Sequence, residues 1–246
     1  MKKITLVILV VFFGMGQLKS QPTATEILEK VDRNMYSENR IVEAGMTIHG
    51  RRSSRTITMR TFSVGDEKSF TEYLSPPREE GTKMLKLENQ LWIYSPDTDR
   101  TIQISGHMLR QSVMGSDLSY EDMMEDRKLT DIYAAELIGE DEIEGRTAFI
   151  LELTAIVSDV AYHSRKIWID TERFVPLRED LFARSGQLLK QTNLSDIRQI
   201  DGRWFPFTMQ FKDMLKQGDG TEFTITSIKF DQKIPDHIFS KASLRQ

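Results

Sequence analysis

Apolar residues recur along this chain with two different periods, and the change of period divides it. Ile27, Leu28, Val31 and Met35 are spaced for one face of a helix. Thr23-Ala24-Thr25-Glu26, just before them, has the form of a capping box with Thr23 as N-cap and Glu26 at N3. These positions predict an amphipathic helix ending near Ser37, whose apolar stripe must bury against something, a sheet being the natural partner. From Ile41 the period becomes two, with Val42, Ala44, Met46 and Ile48 alternating with polar residues. Thr56 to Val64, Lys68 to Leu74, Thr82 to Leu87, Leu91 to Tyr94 and Thr101 to Ile104 continue the series. Turn residues punctuate it at Gly50 to Ser54, Gly65-Asp66, Ser75-Pro76-Pro77, Asn89 and Pro96-Asp97. After Gly106 the pattern turns helical. Ser119 to Asp122 is a second capping-box candidate, and Asp117, Glu121 and Asp122 at its start with Arg127 and Lys128 past its end match a helix dipole.

Strand signals then resume: Ala135 to Asp141, Arg146 to Ala155, Ser164 to Asp170, Val175 to Phe182, Leu188 to Ile200, Arg203 to Asp213 and Glu222 to Phe230. Glu144-Gly145, Ser185-Gly186, Asp201-Gly202 and Gly218 to Gly220 are hairpin turns between them, and Ile234 to Phe239 is a short terminal segment. The signals add up to roughly eleven to thirteen strands in an antiparallel meander with helical insertions. A sheet that wide curls into a barrel or half-barrel, and the inside of the curl must be filled by side chains, a helix or a ligand.

The stretch from Leu91 to Met124 is the most informative. An aromatic hairpin carries Trp92 and Tyr94 on one strand and Ile102 and Ile104 on the next. The connection that follows is too polar for a core strand and too apolar for an ordinary loop, and holds Met108, Met114, Leu118, Met123 and Met124. Methionine is flexible and polarisable and suits surfaces that accept variable apolar shapes. A long connection with its own apolar side chains is often a lid or binding loop, with plain core filling as the other reading.

The ends and the charge narrow the setting. Lys2 and Lys3, the apolar run Ile4 to Phe13, and Gly14, Gly16 and Ser20 form a secretory signal peptide over residues 1–20, with cleavage expected near Ser20. The run is too short for a stable bilayer span, and no second run of spanning length follows. The mature chain, residues 21–246, is expected to be one domain, soluble and free in the periplasm, without a lipid anchor. The chain has no cysteine, hence no disulfide, thiol nucleophile or thiolate metal site. Loss of Lys2, Lys3 and Lys19 with the leader takes the formal charge from −4 to −7, which argues against nucleic acid as a partner.

Catalytic and metal chemistry find little support. The chain has no G-x-S-x-G elbow, H-E-x-x-H or P-loop. His49, His107, His163 and His237 lack ligand spacing, and the acidic run Gly139-Glu140-Asp141-Glu142 lacks the alternation of a calcium loop. Ser116-Asp117 with His107 nearby is the only arrangement reminiscent of a hydrolase. The basic turn Arg51-Arg52-Ser53-Ser54-Arg55 reads as a solubilising turn, or as a contact for an acidic partner or lipid phosphate. No cofactor and no metal are expected.

The segments LWIYSPDTDRTIQI, MGSDLSYEDMM, KIWIDTERFVPLREDLFARSG and IDGRWFPFTMQF together resemble the LolA-like branch of the LolA/LolB lipoprotein-carrier superfamily, whose members are often labelled outer-membrane lipoprotein-sorting proteins. The resemblance runs from about Pro22 to Ser240. It implies a mainly β fold, an unclosed antiparallel β-barrel of roughly eleven strands around a hydrophobic cavity, with an N-terminal helix and an inserted lid helix. It implies a non-enzymatic carrier of acyl chains, its cargo an acylated lipoprotein or a lipid and its partner an inner-membrane lipid or lipoprotein transporter. The alternative is a lipid-sensing accessory module of a membrane lipid exporter on the same scaffold. The anchor cysteine of the receptor branch is missing, so fold and lipid-binding class carry over and the specific cargo does not. On this reading the cavity face is expected to comprise Met46, Ile48, Met59, Phe70, Trp92, Tyr94, Ile102, Ile104, Phe149, Leu151 and Trp168. The lid is expected to comprise Met108, Met114, Leu118, Met123 and Met124, with Gly106 and Gly115 as pivots.

Overall fold

The capping box forms as its sequence requires. The Glu26 backbone N–H donates to Thr23 Oγ1 at 3.2 Å, and the Thr23 N–H donates back to the Glu26 carboxylate at 2.8 Å. Helix α1 (Ala24–Met35) starts there and stops short of Ser37, where Tyr36 turns extended and its N–H closes on the Asp32 carbonyl. The structure is a computed structural model that describes residues 21–50 and 52–246; the expected signal peptide and Arg51 lie outside the described residues.

The period-two pattern resolves into thirteen strands of one antiparallel sheet. The first meander is β1 (Asn39–His49), β2 (Ser54–Val64), β3 (Lys68–Ser75), β4 (Lys83–Leu87), β5 (Gln90–Ser95) and β6 (Arg100–Ile104). The second is β7 (Tyr133–Ile143), β8 (Arg146–Ala155), β9 (Ser164–Asp170), β10 (Pro176–Phe182), β11 (Leu188–Ile200), β12 (Arg203–Asp213) and β13 (Thr221–Phe230). β1 pairs with β13, so the order is β6-β5-β4-β3-β2-β1-β13-β12-β11-β10-β9-β8-β7, and β6 and β7 remain free edges. The result is a half-barrel that does not close. Register shifts at Glu43/Ala44, Thr58/Met59, Leu137/Gly139, Pro176/Arg178 and Leu181/Phe182 supply local bends, since an extra residue on one strand increases its twist.

The register sorts side chains onto two faces. Ala44 opposes Met59, and Met59 opposes Tyr73; Met46 opposes Ile57. All of these are buried on the inner face. The outer face of the same strands carries polar pairs such as Arg60–Glu43 at 2.7 Å and Thr47–Thr56 at 2.9 Å. Helix α1 covers the inner face of the β7–β9 end, packing Ile27, Leu28 and Val31 against Tyr133, Phe149, Leu151, Leu153, Ile167 and Ile169. The connection from β6 to β7 covers the inner face of the β1–β6 end. A third cover lies outside, where Phe239 and Leu244 of the C-terminal segment pack on Phe70, Leu85 and Trp92.

The lid takes a different form from the single helix expected of it. It is three short 3-10 turns, Gly106–Arg110, Val113–Gly115 and Asp122–Met124, followed by a one-turn α2 (Leu129–Ile132). The Ser119–Asp122 capping contacts do form. They close only one turn, because the same Asp122 carboxylate is also held by Tyr162 of the β8–β9 connection and Lys190 of β11. Upstream, Met114 and Gly115 both adopt positive φ (51° and 75°), which a continuing helix excludes. No helix among the described residues is long and apolar enough to cross a membrane.

Candidate functional site

The two inner covers do not meet. Between α1 and the end of the lid the floor of the half-barrel stays open, because the middle of β12 and β13 presents Phe205, Met209, Phe223 and Ile225 to neither of them fully. The gap is a cavity of about 340 Å³. That lies within the range of small-molecule sites, roughly 300–1,000 Å³. Val31 and Met35 of α1, Val42 of β1, Met123 of the lid, Leu129 and Pro176 complete its apolar lining. One wall is different in kind: Arg40, Thr61, Ser63, Ser69 and Thr71 from β1–β3 face Asp122, Glu125, Asp126 and Arg127 from the end of the lid. Arg165 and Glu179 stand at the β9–β10 side.

The lid is fastened by two carboxylates. Asp117 accepts from Thr221 Oγ1 and from the Asp213 backbone N–H, each at 2.9 Å, and its own N–H donates to Thr221 Oγ1 at 2.9 Å. Thr221 is fully buried, so these bonds have no competing water. Asp122 accepts from Tyr162 at 2.5 Å, from Ser119 at 2.7 Å and from Lys190. Burial alone pushes the Asp122 carboxyl up; the Lys190 charge and hydrogen bond, with those of Ser119 and Tyr162, outweigh it and hold the group below the ordinary carboxylate value. Glu179 has the opposite fate. Burial pushes it up, and its one ionic partner, Arg165, stands 3.5 Å away and offsets only part of this. Arg55, which the structure places in β2 just past the basic turn, donates to the Met114 carbonyl and pairs with Glu79 at 2.9 Å. This basic residue therefore serves as a lid anchor.

The lid residues named from the sequence all pack on the inner face. Met114, Leu118 and Met123 join Met46, Ile48 and Met59 in one cluster, and Met108, Met123 and Met124 join Ile104 with Met84 and Leu91 in another. Ile102 points to the same side at the free edge and is 51% exposed. Phe149 and Leu151 lie beneath α1. Phe70, Trp92 and Tyr94 differ from expectation: the pairing of Phe70 with Leu85 and of Leu85 with Trp92 puts them outside, under the C-terminal segment. Trp168 is also outside, with Ala148 and Leu177, its indole N–H donating to Asp141 at 3.1 Å. Of all these residues only Met123 lines the open cavity.

Of the residues that do line it, Val42 was read from the alternation of its strand, whereas Phe205, Met209, Phe223 and Ile225 fell within expected strands without being singled out. The hydrolase arrangement does not assemble. The Ser116 hydroxyl is buried and donates to the Leu118 carbonyl at 3.3 Å while accepting the Leu118 N–H, and no hydrogen bond joins it to the exposed His107. Among the described residues no cluster of His, Cys, Asp or Glu could hold a metal ion.

A family model matches residues 65–246, and its description reads only "Uncharacterized protein". Several solved structures share the architecture over nearly their whole length. A DUF1329 family protein from Desulfovibrio piger superposes with a TM-score of 0.80 at 25% identity, covering 90% of this chain and 97% of its own. A LolA superfamily protein from Nitrosomonas europaea gives 0.76 at 25% identity, covering 91% and 100%. An outer membrane lipoprotein-sorting protein domain from Vibrio parahaemolyticus gives 0.78 at 24% identity, covering 91% and 98%. No curated protein sequence matches the chain.

Proposed function

Because the chain belongs to the LolA-like branch of the LolA/LolB superfamily, we propose that it is a periplasmic carrier. On this reading it shields the acyl chains of a lipoprotein or lipid during sorting or transport to the outer membrane. The observation that carries the reading is the apolar gap of about 340 Å³ left between α1 and the lid. Withdrawing an acyl chain from water is worth about 0.8 kcal/mol per buried CH₂, so even a partly buried chain gains several kcal/mol from such a floor. When the lid lifts, the floor extends over Met46, Ile48, Met59 and Ile104, which it now covers. The carrier is non-enzymatic; its donor is an inner-membrane lipid or lipoprotein transporter, and the mature protein, residues 21–246, works free in the periplasm.

Native mass spectrometry with lipid extraction, on protein taken from the periplasm without detergent, tests this. Close to one diacyl lipid or acylated protein per chain is the expected result, and its mass identifies the cargo. An empty protein that stays empty when lipids and acylated peptides are offered overturns it in favour of an accessory module acting through protein contacts.

A further inference from the structure

Around the cavity every cation but two has at least one carboxylate to itself. Arg127 has two, Glu125 at 2.6 Å and Asp159 at 3.1 Å, while Lys190 pairs with Asp122 and Arg165 with Glu179 at 3.5 Å. Asp32 accepts the Leu129 and Thr130 backbone N–H groups that open α2. One place breaks the balance. Arg40 and Lys86 share a single carboxylate, that of Asp126, at 2.5 Å and 3.6 Å. Each cation otherwise has only a backbone carbonyl, Met35 for Arg40 and Met124 for Lys86. Lys86 is 4% exposed, so its charge is not solvated in compensation.

The two cations belong to one row across the inner face. Arg40 opposes Ser63, Ser63 opposes Ser69, and Ser69 opposes Lys86 on four adjacent strands. The backbone ends of the row are roughly 14 Å apart at three strand spacings, and the two long side chains lean inward to meet at Asp126. Ser63 and Ser69, between them, are buried against the cavity and make no side-chain hydrogen bond among the described residues. An apolar floor thus ends in one cation, Arg40, and two hydroxyls, with the second cation, Lys86, buried next to Asp126, the carboxylate at the end of the lid that closes the row.

Resting on the carrier reading, we infer that the cargo is an amphiphile with an anionic head, a phosphate or carboxylate, and that Asp126 occupies the head's place until cargo arrives. The head displaces Asp126 and takes Arg40, Lys86 and the two serine hydroxyls as donors, while its chain lies on Phe223, Ile225 and Met209. Displacement costs one carboxylate its partners and gives the cations an anion with more acceptor oxygens, which is why a phosphate competes well for this site.

The test is isothermal titration of the purified protein with two single-chain probes of equal length, a lysophosphatidic acid and a neutral monoacylglycerol. The wild type is expected to bind the phosphate probe on the order of tenfold tighter, the size of a charge-assisted hydrogen bond. Arg40→Gln is expected to abolish that preference, and Arg40→Lys to retain most of it. Asp126→Asn is expected to tighten the phosphate probe by a similar factor and leave the neutral one alone. The neutral probe reports that each variant is folded. Equal binding of both probes by the wild type, indifferent to both positions, overturns this inference and leaves the carrier standing. Binding of neither probe overturns the carrier reading and this inference with it. Inorganic phosphate without a tail is expected to give no heat; a heat matching that of the tailed probe shows a free-anion site and overturns the assignment to a lipid head.

Discussion

At the scale of single residues, the lid depends on two carboxylates, Asp117 and Asp122. Asp117 satisfies two donors, and its own N–H is satisfied by a fully buried threonine. Asp117→Ala leaves the Asp213 N–H and Thr221 hydroxyl without acceptors, so a loss of about 2–3 kcal/mol is expected in urea unfolding, with faster proteolytic cleavage between Gly106 and Met124. Asp122 supplies a pH dependence. Its carboxyl is lowered from the ordinary value of 3.8 in the folded state, so its contribution to stability is complete above that value. The contribution falls away as the pH drops through the lowered folded value, once the folded carboxyl takes its proton. Thermal melts from neutral pH into strong acid should show this as a falling midpoint, and Asp122→Asn should flatten that part of the curve. Glu179 acts with the reverse sign: raised above its ordinary value of 4.5, it favours the folded state at low pH and loses that contribution as the pH rises from there through the folded value. The acid limb therefore reports Asp122 only as the difference between wild type and the asparagine variant.

At the scale of elements, what could be read ahead was what local chemistry decides. The start of α1 followed from four residues because a capping box is satisfied within itself. The strands followed from alternation and turn residues, and the β12–β13 hairpin needed nothing beyond Gly218 to Gly220. The faces of β4 and β5 were a different matter. Met84 and Leu85 are both buried, as are Leu91 and Trp92, because the lid covers one side and the C-terminal segment the other. A strand apolar on both sides has no readable inside. The open cavity was hidden for a related reason, since it is the space that two covers leave between them and neither sequence marks its limit. The lid turn Ser119–Asp122 misled in the other direction, its capping contacts real and its helix absent because Lys190 of β11 and Tyr162 of the β8–β9 connection draw Asp122 to themselves. Helix α1 itself is held by packing: Leu28→Ala is expected to cost about 3 kcal/mol in denaturant unfolding, as a buried leucine lost from a tight cluster.

At the scale of the whole molecule, the cavity floor tests the carrier most directly. Met209 and Phe223 are only partly buried and line the cavity, so a charge there is tolerated by the fold better than in the sealed clusters. Met209→Glu is expected to weaken a fluorescent acyl probe by more than about tenfold, the cost of meeting a carboxylate with a chain, while the melting temperature shifts little. The placement of the lid between the sheet's two free edges has a mechanical consequence. It leaves β6 at Ile104 and reaches β7 through α2, so it is tied at both ends to strands that do not pair with each other. A segment tied in this way is a strap and not a hinged door. Forcing β6 and β7 apart draws it taut against the floor; letting them approach gives it slack to rise. The width of the half-barrel's mouth and the height of its cover are thereby one variable, and a partner that grips the two edges sets both.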